Sequence, residues 1–359
     1  MGVTLTPGLA GRESYRAIRL YAPDRRSAEV DLSDNTNLWG APPAALRVLR
    51  VVAGATVTRY PPLYAPTLKE RLAAYAGVTP AMVVTGCGSD DVLDSAFRAF
   101  AEPGDLVAAS DPTFAMIPIF AQMNALAARA VPLDAACDLD VDRLLAEGPR
   151  IIYACAPNNP TGTGVTGERL LALLARTPGL VIVDEAYAEF AGTTVVPLLE
   201  RFDRLLIVRT MSKAFGLAGL RIGYALGRPA VVAEVEKSRG PYKVSALAEA
   251  AAIAALGELD WVRAHVAEAV AVREQLSAAL GAMGRPALPS AANFVLVPVP
   301  DAEAVARAMR VRDVAVRPLT GLAPVTPALA ATGGSALRIT VGPWPLVQRA
   351  LDALVEACR

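Results

Sequence analysis

Six short runs of apolar, often β-branched residues constrain the fold of this chain most strongly, because turns and helical stretches separate them. The runs lie at Met82–Thr85, Asp105–Ser110, Arg150–Ala156, Leu180–Asp184, Leu205–Thr210 and Arg221–Leu226. Continuous apolar strands separated by helices are typical of a mostly parallel sheet that is covered on both faces. The pattern predicts an α/β fold with a doubly wound sheet, in which ligands bind beyond the carboxyl ends of the strands.

Composition argues against several classes of protein. The chain has 359 residues, enough for two domains, and its 35 Lys and Arg residues balance 35 Asp and Glu residues. Without a polybasic block, we expect neither nucleic acid nor a membrane as a partner. No window approaches the roughly 20 continuous apolar residues of a bilayer span. The N-terminus lacks a secretory signal, and the four cysteines show no C-x-x-C spacing. We therefore expect a cytoplasmic protein without a disulfide framework or a metal site.

The first two runs are followed by residues that suit an anion and an aromatic ring. Gly86 and Gly88 allow close backbone approach, and Ser89 and Asp90 open a helical stretch whose free amides can bind a phosphate. Phe114 follows the second run. Taken separately, a glycine-rich turn is most often only a turn, and a phenylalanine in this position is most often a core residue.

The next three runs are followed by an amide, a carboxylate and an amine. Asn159 lies in the turn-rich segment Pro157–Gly162, and Asp184 ends the fourth run shortly before Tyr187. A buried carboxylate in such a place needs a cationic partner or a role. Lys213 follows the fifth run. Considered alone, it would be a lysine whose stem lies on apolar surface while its charge stays in water.

One ligand, pyridoxal phosphate, uses all of these groups together. Its aldehyde needs a lysine, its pyridine nitrogen a carboxylate and its phenolic oxygen neutral donors. Its ring needs a stacking face, and its phosphate needs amides and an arginine. Ser212 and Arg221, close to Lys213 in the sequence, complete this set. The sequence therefore predicts that Lys213 binds pyridoxal phosphate through a Schiff base.

The motifs that carry these residues resemble those of fold-type I pyridoxal-phosphate aminotransferases. NNPTG (158–162), DEAY (184–187) and SKAFGLAGLR (212–221) occur in the order typical of that class. Further segments are similar to the histidinol-phosphate aminotransferase family: DNTNLWGAPP (34–43), RYPP (59–62), GCGSDD (86–91), DPTF (111–114) and ALRITVG (336–342). The resemblance covers nearly the whole chain, from Tyr21 to the last helix.

The resemblance implies a role for each matching residue near the cofactor. Lys213 is the lysine that binds pyridoxal phosphate and, once substrate frees it, the base that moves the proton from Cα. Asp184 keeps the pyridine nitrogen protonated, while Asn159 and Tyr187 hydrogen-bond the phenolate oxygen. Phe114 stacks on the ring, where a tyrosine is more usual in the family.

The remaining residues are assigned by the resemblance to the phosphate and the substrate. The amides of Ser89 and Asp90, with Ser212 and Arg221, hold the phosphate, and Tyr60 reaches it from the second subunit of a homodimer. An arginine fork binds the anionic group of the substrate. The substrate-binding positions are Arg338, Tyr21, Asn37 and Arg317.

The chain departs from the family on the substrate side. Asn35-Thr36-Asn37-Leu38 stands where Asn-Glu-Asn-Pro is common, and the connection Thr320–Ala336 is longer than usual. The match at Tyr21 is loose. His265 is the only histidine, lies in a predicted helix and is interpreted as structural.

The hypothesis is a fold-type I pyridoxal-phosphate transferase with two domains. Residues 40–245 form the large, doubly wound, mostly parallel domain that binds the cofactor. Residues 1–39 and 246–359 form a smaller α/β domain with an N-terminal arm and a linking helix. Its predicted strands are ANFVLVPV (292–299), VAVRPL (314–319) and ALRITV (336–341).

The expected reaction is transfer of an amino group from L-histidinol phosphate to 2-oxoglutarate, as in histidine biosynthesis. One alternative is an aminotransferase for aromatic amino acids such as phenylalanine. Another is a decarboxylase of the same fold that acts on a phosphorylated amino acid. A non-catalytic regulator would need a fused DNA-binding module, for which the short segment before Asn35 leaves no room.

Overall fold

Two β-sheets organise the molecule, a computed structural model that describes Ile18 and residues 27–358. The strands are β1 (Val30–Leu32), β2 (Val83–Cys87), β3 (Leu106–Asp111), β4 (Ala127–Pro132), β5 (Ile151–Cys155), β6 (Leu180–Asp184), β7 (Leu205–Thr210), β8 (Ile222–Gly227), β9 (Phe294–Pro298), β10 (Val314–Leu319) and β11 (Ala336–Thr340).

The larger sheet has seven strands in the order β2-β8-β7-β6-β5-β3-β4. Strands β3 to β7 run parallel, and β8 is antiparallel to its neighbours β7 and β2. The mostly parallel sheet predicted from the sequence is therefore confirmed. Every residue of β5, β6 and β7 is buried, as expected for strands that are covered on both faces.

Helices pack against both sheets. They are α1 (Pro43–Arg50), α2 (Gly54–Thr58), α3 (Pro66–Ala76), α4 (Gly88–Phe100), α5 (Met116–Met123), α6 (Val141–Leu145), α7 (Gly167–Arg176), α8 (Ala188–Ala191), α9 (Pro229–Arg239), α10 (Ala246–Leu256), α11 (Leu259–Ala282), α12 (Ala302–Arg310), α13 (Pro327–Ala331) and α14 (Trp344–Ala357). Three 3-10 turns lie at Pro80–Met82, Val196–Glu200 and Ala218–Leu220. Within the described residues, no helix is long and apolar enough to cross a membrane.

The smaller sheet has the order β1-β10-β11-β9. Its strands β9, β10 and β11 lie where the sequence predicts them, whereas β1 and the edge strand β4 are not predicted by apolar pattern. β1 has only three residues, and most of β4 is exposed, so neither needs a continuous apolar run. We propose that the two sheets are the centres of the two domains, with boundaries near residues 40 and 245 and α10 and α11 as the link.

A glycine in β8 lets the large sheet approach the start of α4 closely. A Cβ atom on Gly223 would lie 2.1 Å from the backbone nitrogen of Ser89 and 2.2 Å from the carbonyl carbon of Gly88. Real Cβ atoms do not approach backbone this closely, so a larger residue would displace the helix start. Gly223 thus determines where the free amides of α4 lie relative to the strand ends.

We predict that Gly223→Ala lowers the free energy of unfolding by about 3 kcal/mol, because backbone rather than a flexible side chain must move. Gly227→Ala in the same strand is the matched control. Its Cβ would first meet the Leu206 Cδ1 atom, at 3.3 Å, so its cost should stay below about 1 kcal/mol. Urea unfolding measures both, and equal losses would contradict the close-approach argument.

Candidate active site

A cavity of about 620 Å³ lies beyond the carboxyl ends of the parallel strands, where the large sheet meets the small one. This is where ligands bind in doubly wound sheets. Most of the residues predicted from the sequence line it: Ser89, Asp90, Phe114, Asn159, Asp184, Tyr187, Ser212, Lys213, Arg221 and Arg338.

Lys213 enters the cavity from the turn after β7. The Lys213 Nζ atom donates a hydrogen bond to the backbone oxygen of Asp34 at 3.1 Å. Burial removes the ammonium from water and the nearby Arg338 repels it, and these effects lower the Lys213 pKa to about 8. A larger fraction of this lysine is therefore an uncharged nucleophile near neutral pH than of an ordinary lysine.

Asp184 is the last residue of β6 and is only 4% exposed. Its Oδ1 atom accepts a hydrogen bond from the backbone N–H of Ala186 at 3.0 Å, and its Oδ2 atom accepts one from the Tyr153 hydroxyl at 2.7 Å. Burial raises the Asp184 pKa to about 6, and the bond from Tyr153 is the largest opposing effect. At neutral pH the carboxylate is thus ionised but close to titration.

Tyr187 faces the same cavity and is held by two contacts. Its hydroxyl oxygen accepts a hydrogen bond from the Asn35 side-chain nitrogen at 3.0 Å. Its ring packs edge-to-face on Phe294, with 5.2 Å between ring centroids. Burial raises the Tyr187 pKa, so the phenol stays protonated near neutral pH and can donate to an anionic oxygen.

Arg338 connects the small sheet to the turn after β5. Its Nη1 atom donates to the side-chain oxygen of Asn159 at 2.6 Å, and its Nη2 atom donates to the backbone oxygen of Ser33 at 3.0 Å. The guanidinium carbon lies 5.5 Å from the centroid of the Phe294 ring. Arg338 binds the side-chain oxygen of Asn159, so the side-chain nitrogen of Asn159 is the group that can donate to a ligand.

The start of α4 and Arg221 together form an anion cradle. Arg221 has a φ of +53°, and its Nη2 atom lies 3.4 Å from an Asp90 side-chain oxygen. Gly88 has a φ of +84°, and a Cβ atom there would lie 2.5 Å from Arg221 Nη2. The absence of a side chain at Gly88 therefore lets the guanidinium lie over the helix start, where free amides favour anions.

Three residues that were predicted from the sequence do not line this cavity. Asn37 instead donates to the backbone oxygen of Ala214 at 3.0 Å. Arg317 forms an ion pair with Asp34, directly beside Arg338. Tyr60 is 83% exposed. A fourth, Tyr21, lies outside the described residues.

Among the residues that were not predicted from the sequence, three contact the predicted side chains closely. Asp34 and Asn35 contact Lys213 and Tyr187 through a backbone oxygen and an amide nitrogen. The third is Tyr153, which binds Asp184. The sequence contains a signal for Tyr153, because this phenol lies within the apolar run IIYAC. It is two residues before Cys155, the last residue of the strand, so the two side chains are on the same face of the sheet.

Two other features noted in the sequence lie away from the cavity. In the connection Thr320–Ala336, helix α13 packs Leu329 in a small cluster with Leu288 and Leu296. His265 stacks on Trp261 with 3.9 Å between ring centroids, and its Nδ1 atom lies 2.7 Å from the Trp261 backbone oxygen. Neither feature lines the cavity.

The fold and the cavity define a fold-type I pyridoxal-phosphate enzyme. The family model described as aminotransferase class I and II matches residues 27–354. The chain belongs to this family and is a pyridoxal-phosphate-dependent aminotransferase.

Relatives with assigned names and a solved structure agree with this placement. The histidinol-phosphate aminotransferase of Roseiflexus castenholzii is 39% identical over 328 residues, which is 86% of each chain. Histidinol-phosphate aminotransferase 2 of Thiobacillus denitrificans is 36% identical over 335 residues, or 92% of this chain and 91% of that one. The crystal structure of histidinol-phosphate aminotransferase from Sinorhizobium meliloti in complex with pyridoxal-5'-phosphate has a TM-score of 0.84, 27% identity and 96% coverage of both chains.

The residues of the cavity fit pyridoxal phosphate. They combine an amine of lowered pKa, a buried carboxylate, a protonated phenol and an anion cradle in which a Cβ atom on Gly88 would collide with the Arg221 guanidinium. These are the groups that the cofactor's aldehyde, ring nitrogen, phenolic oxygen and phosphate require.

We predict that Lys213→Met stabilises the cofactor-free protein by about 3 kcal/mol at pH 7. A lysine whose pKa is lowered in the folded state destabilises that state. The loss of stability is complete below the folded pKa and disappears above the unfolded pKa. The gain should therefore be full below about pH 8 and fade as the pH rises to 10.5, the model value for lysine. Urea unfolding at pH 7 and pH 10 measures it. The exposed Lys237→Met is the control and should change little; a pH-independent gain in Lys213→Met would contradict the desolvation argument.

Proposed function

We propose that the protein transfers an amino group from L-histidinol phosphate to 2-oxoglutarate, yielding imidazole acetol phosphate and L-glutamate, in the cytoplasm. The observation that carries this proposal is a pair of arginines on the substrate side. Arg338 lines the cavity, and Arg317 is its direct partner across β10 and β11. Directly opposed residues of antiparallel strands share a face of the sheet, so Arg317, which is paired with Asp34, places a second guanidinium beside Arg338 on the substrate side. The names of the two relatives support the same reaction.

The cofactor, when bound, supplies an electron-withdrawing ring that stabilises negative charge at the substrate's Cα. Lys213 Nζ would hold the cofactor and would later accept the proton from the substrate's Cα. The Asp184 carboxylate would bind the protonated ring nitrogen. Asn159 and Tyr187 would donate hydrogen bonds to the phenolic oxygen, and Phe114 would stack on the ring.

The anion cradle would hold the phosphate of the cofactor. Ser89 and Asp90 would contribute backbone amides at the start of α4, Ser212 its hydroxyl and Arg221 its guanidinium. The Asp90 carboxyl stands beside Arg221, and burial raises the pKa of that carboxyl.

Substrate binding must accommodate two different anions, because histidinol phosphate has no carboxylate whereas glutamate has two. We assign both to Arg338 and Arg317, with Tyr21 and Asn37 as further substrate residues. An arginine accepts phosphate and carboxylate alike through a planar fork of donors.

The test of this function is a single turnover with the loaded enzyme. L-Histidinol phosphate should convert the bound cofactor to its amine form, and 2-oxoglutarate should restore it. Histidinol should react with a kcat/KM at least about 100-fold lower, because it lacks the anionic group that Arg338 would bind. Equal kcat/KM for histidinol phosphate and phenylalanine would contradict the proposal, a preference for phenylalanine would favour the aromatic aminotransferase, and release of CO₂ would favour the decarboxylase.

Two arginine variants sharpen this test. Arg338→Lys should raise KM for histidinol phosphate at least about tenfold, because lysine cannot form the bidentate fork. Arg307→Lys is the control, since Arg307 lies exposed on α12 and pairs with a residue of its own helix, Glu303, at 3.5 Å. A similar KM in both variants would remove Arg338 from its assigned role.

We further propose a homodimer in which each subunit completes the other's site. Tyr60 is exposed in this chain and stacks on Tyr242, with 4.8 Å between ring centroids. Large apolar side chains close to it in sequence are exposed as well, namely Val51, Val57 and Leu63. Several large apolar side chains exposed within one short segment are a feature that an interface would cover. Tyr60 would reach the partner's phosphate across it.

Mixing Lys213→Ala with Tyr60→Ala protein should restore activity after subunit exchange. Each heterodimer would hold one intact site, because the Tyr60→Ala subunit supplies Lys213 and the other subunit supplies Tyr60. Each variant alone should be impaired. Mixing Lys213→Ala with Asp184→Ala is the control and should restore nothing, because both residues come from one subunit. Activity that sediments with a monomer would exclude a shared site.

A further inference from the structure

The hydroxyl of Tyr153 is placed on Asp184 by the register of two central strands. In the parallel pair of β5 and β6, Tyr153 is opposite Ile182 and Cys155 is opposite Asp184. Alternate residues of a strand share a face. Tyr153 is two residues before Cys155 and therefore lies on the same face of the sheet as Asp184. Its side chain is fully buried, and its hydroxyl donates to Asp184 Oδ2 at 2.7 Å.

The groups around Asp184 make this hydrogen bond important. Asp90 on α4 and Glu185, the next residue of the chain, are acidic and disfavour a further negative charge there. The buried thiol of Cys155 and the phenol of Tyr187 are neutral, and their pKa values are raised. Lys213 reaches the cavity from the turn after β7 and donates to the Asp34 backbone oxygen. Among the described residues, the carboxylate accepts hydrogen bonds from the Ala186 amide and the Tyr153 hydroxyl.

We propose that Tyr153 is a positioning residue for the reaction: its hydroxyl keeps the buried Asp184 carboxylate ionised and fixes its orientation. The inference rests on the proposed function, in which Asp184 binds the ring nitrogen. A buried carboxylate that loses one of two donors retains a proton more readily. In that state it would be a poorer acceptor for a protonated ring nitrogen.

Tyr153 can only act as the donor of this pair. Burial and the neighbouring carboxylate raise the Tyr153 pKa well above its usual value, so its proton stays in place throughout the working range. The Asp184 Oδ2 atom accepts a hydrogen bond from the Tyr153 hydroxyl, and the Asp184 Oδ1 atom accepts one from the Ala186 amide. Phenylalanine at position 153 would preserve the ring and its packing but remove the donor.

The first test uses cofactor-free Tyr153→Phe and does not depend on activity. Carbon NMR of the aspartate carboxyl groups should show Asp184 titrating near pH 6 in the unsubstituted protein. In Tyr153→Phe the midpoint should rise by about one pH unit or more. Asp184→Asn assigns the signal. Tyr224→Phe is the matched control, because Tyr224 is a buried strand tyrosine whose hydroxyl lies near Arg209 rather than Asp184.

A second readout needs no tyrosine substitution. The Tyr153 hydroxyl proton, fully buried and bonded to a carboxylate, should exchange slowly and give a downfield proton signal that shifts in Asp184→Asn. An unchanged Asp184 midpoint in folded Tyr153→Phe, or a hydroxyl signal indifferent to Asp184→Asn, would overturn the proposal.

The loaded enzyme supplies the functional readout. In Tyr153→Phe, kcat should fall about tenfold, and the acidic limb of its pH profile should move upward, in the same direction as the Asp184 midpoint. KM for the amino donor should stay nearly constant. A loss of kcat without movement of the acidic limb would show a merely structural role. A failure of the proposed function appears separately, as an unsubstituted enzyme that does not turn over L-histidinol phosphate while the Asp184 midpoint still rises in cofactor-free Tyr153→Phe.

Discussion

Burial of an amine and a carboxylate at neighbouring strand ends is the constraint on which the rest of the site depends. Lys213 and Asp184 are both removed from water, which moves the pKa of one down to about 8 and the other up to about 6. Desolvation of this kind costs stability in the empty protein. The cost is offset by the strands that are buried on both faces, and it leaves the two groups near the protonation states that amino transfer needs.

The segment from Ser33 to Asn35 connects this pair to the second sheet. Its backbone oxygens accept from Lys213 and Arg338, and the Asn35 side chain donates to Tyr187. Asn35 also binds Thr340 through its backbone N–H and its side-chain oxygen. One short segment therefore contacts the lysine, the phenol and the substrate-side arginine. A shift of either sheet would change the positions of all three side chains.

The predicted residues that the structure brings to one cavity are those whose chemistry and strand position coincide. Asp184, Lys213 and Asn159 each stand at the end of a buried apolar run, so the residue type and its place in the sheet were both readable. Tyr153 was missed because it lies inside such a run, where an aromatic residue is usually interpreted as part of the core. The edge strand β4 was missed because most of its residues are exposed and carry no apolar pattern.

The sequence by itself determined the mostly parallel sheet, the order of the polar groups at its strand ends and the ligand that those groups together suit. Local hydrophobic pattern decides these features, since each strand buries its own residues. Only the tertiary structure decided which groups meet. The Arg317–Asp34 pair, the bond from Arg338 to Asn159 and the bond from Asn35 to Tyr187 join residues far apart in the chain. No local pattern records such contacts, because they arise from the packing of one sheet against another.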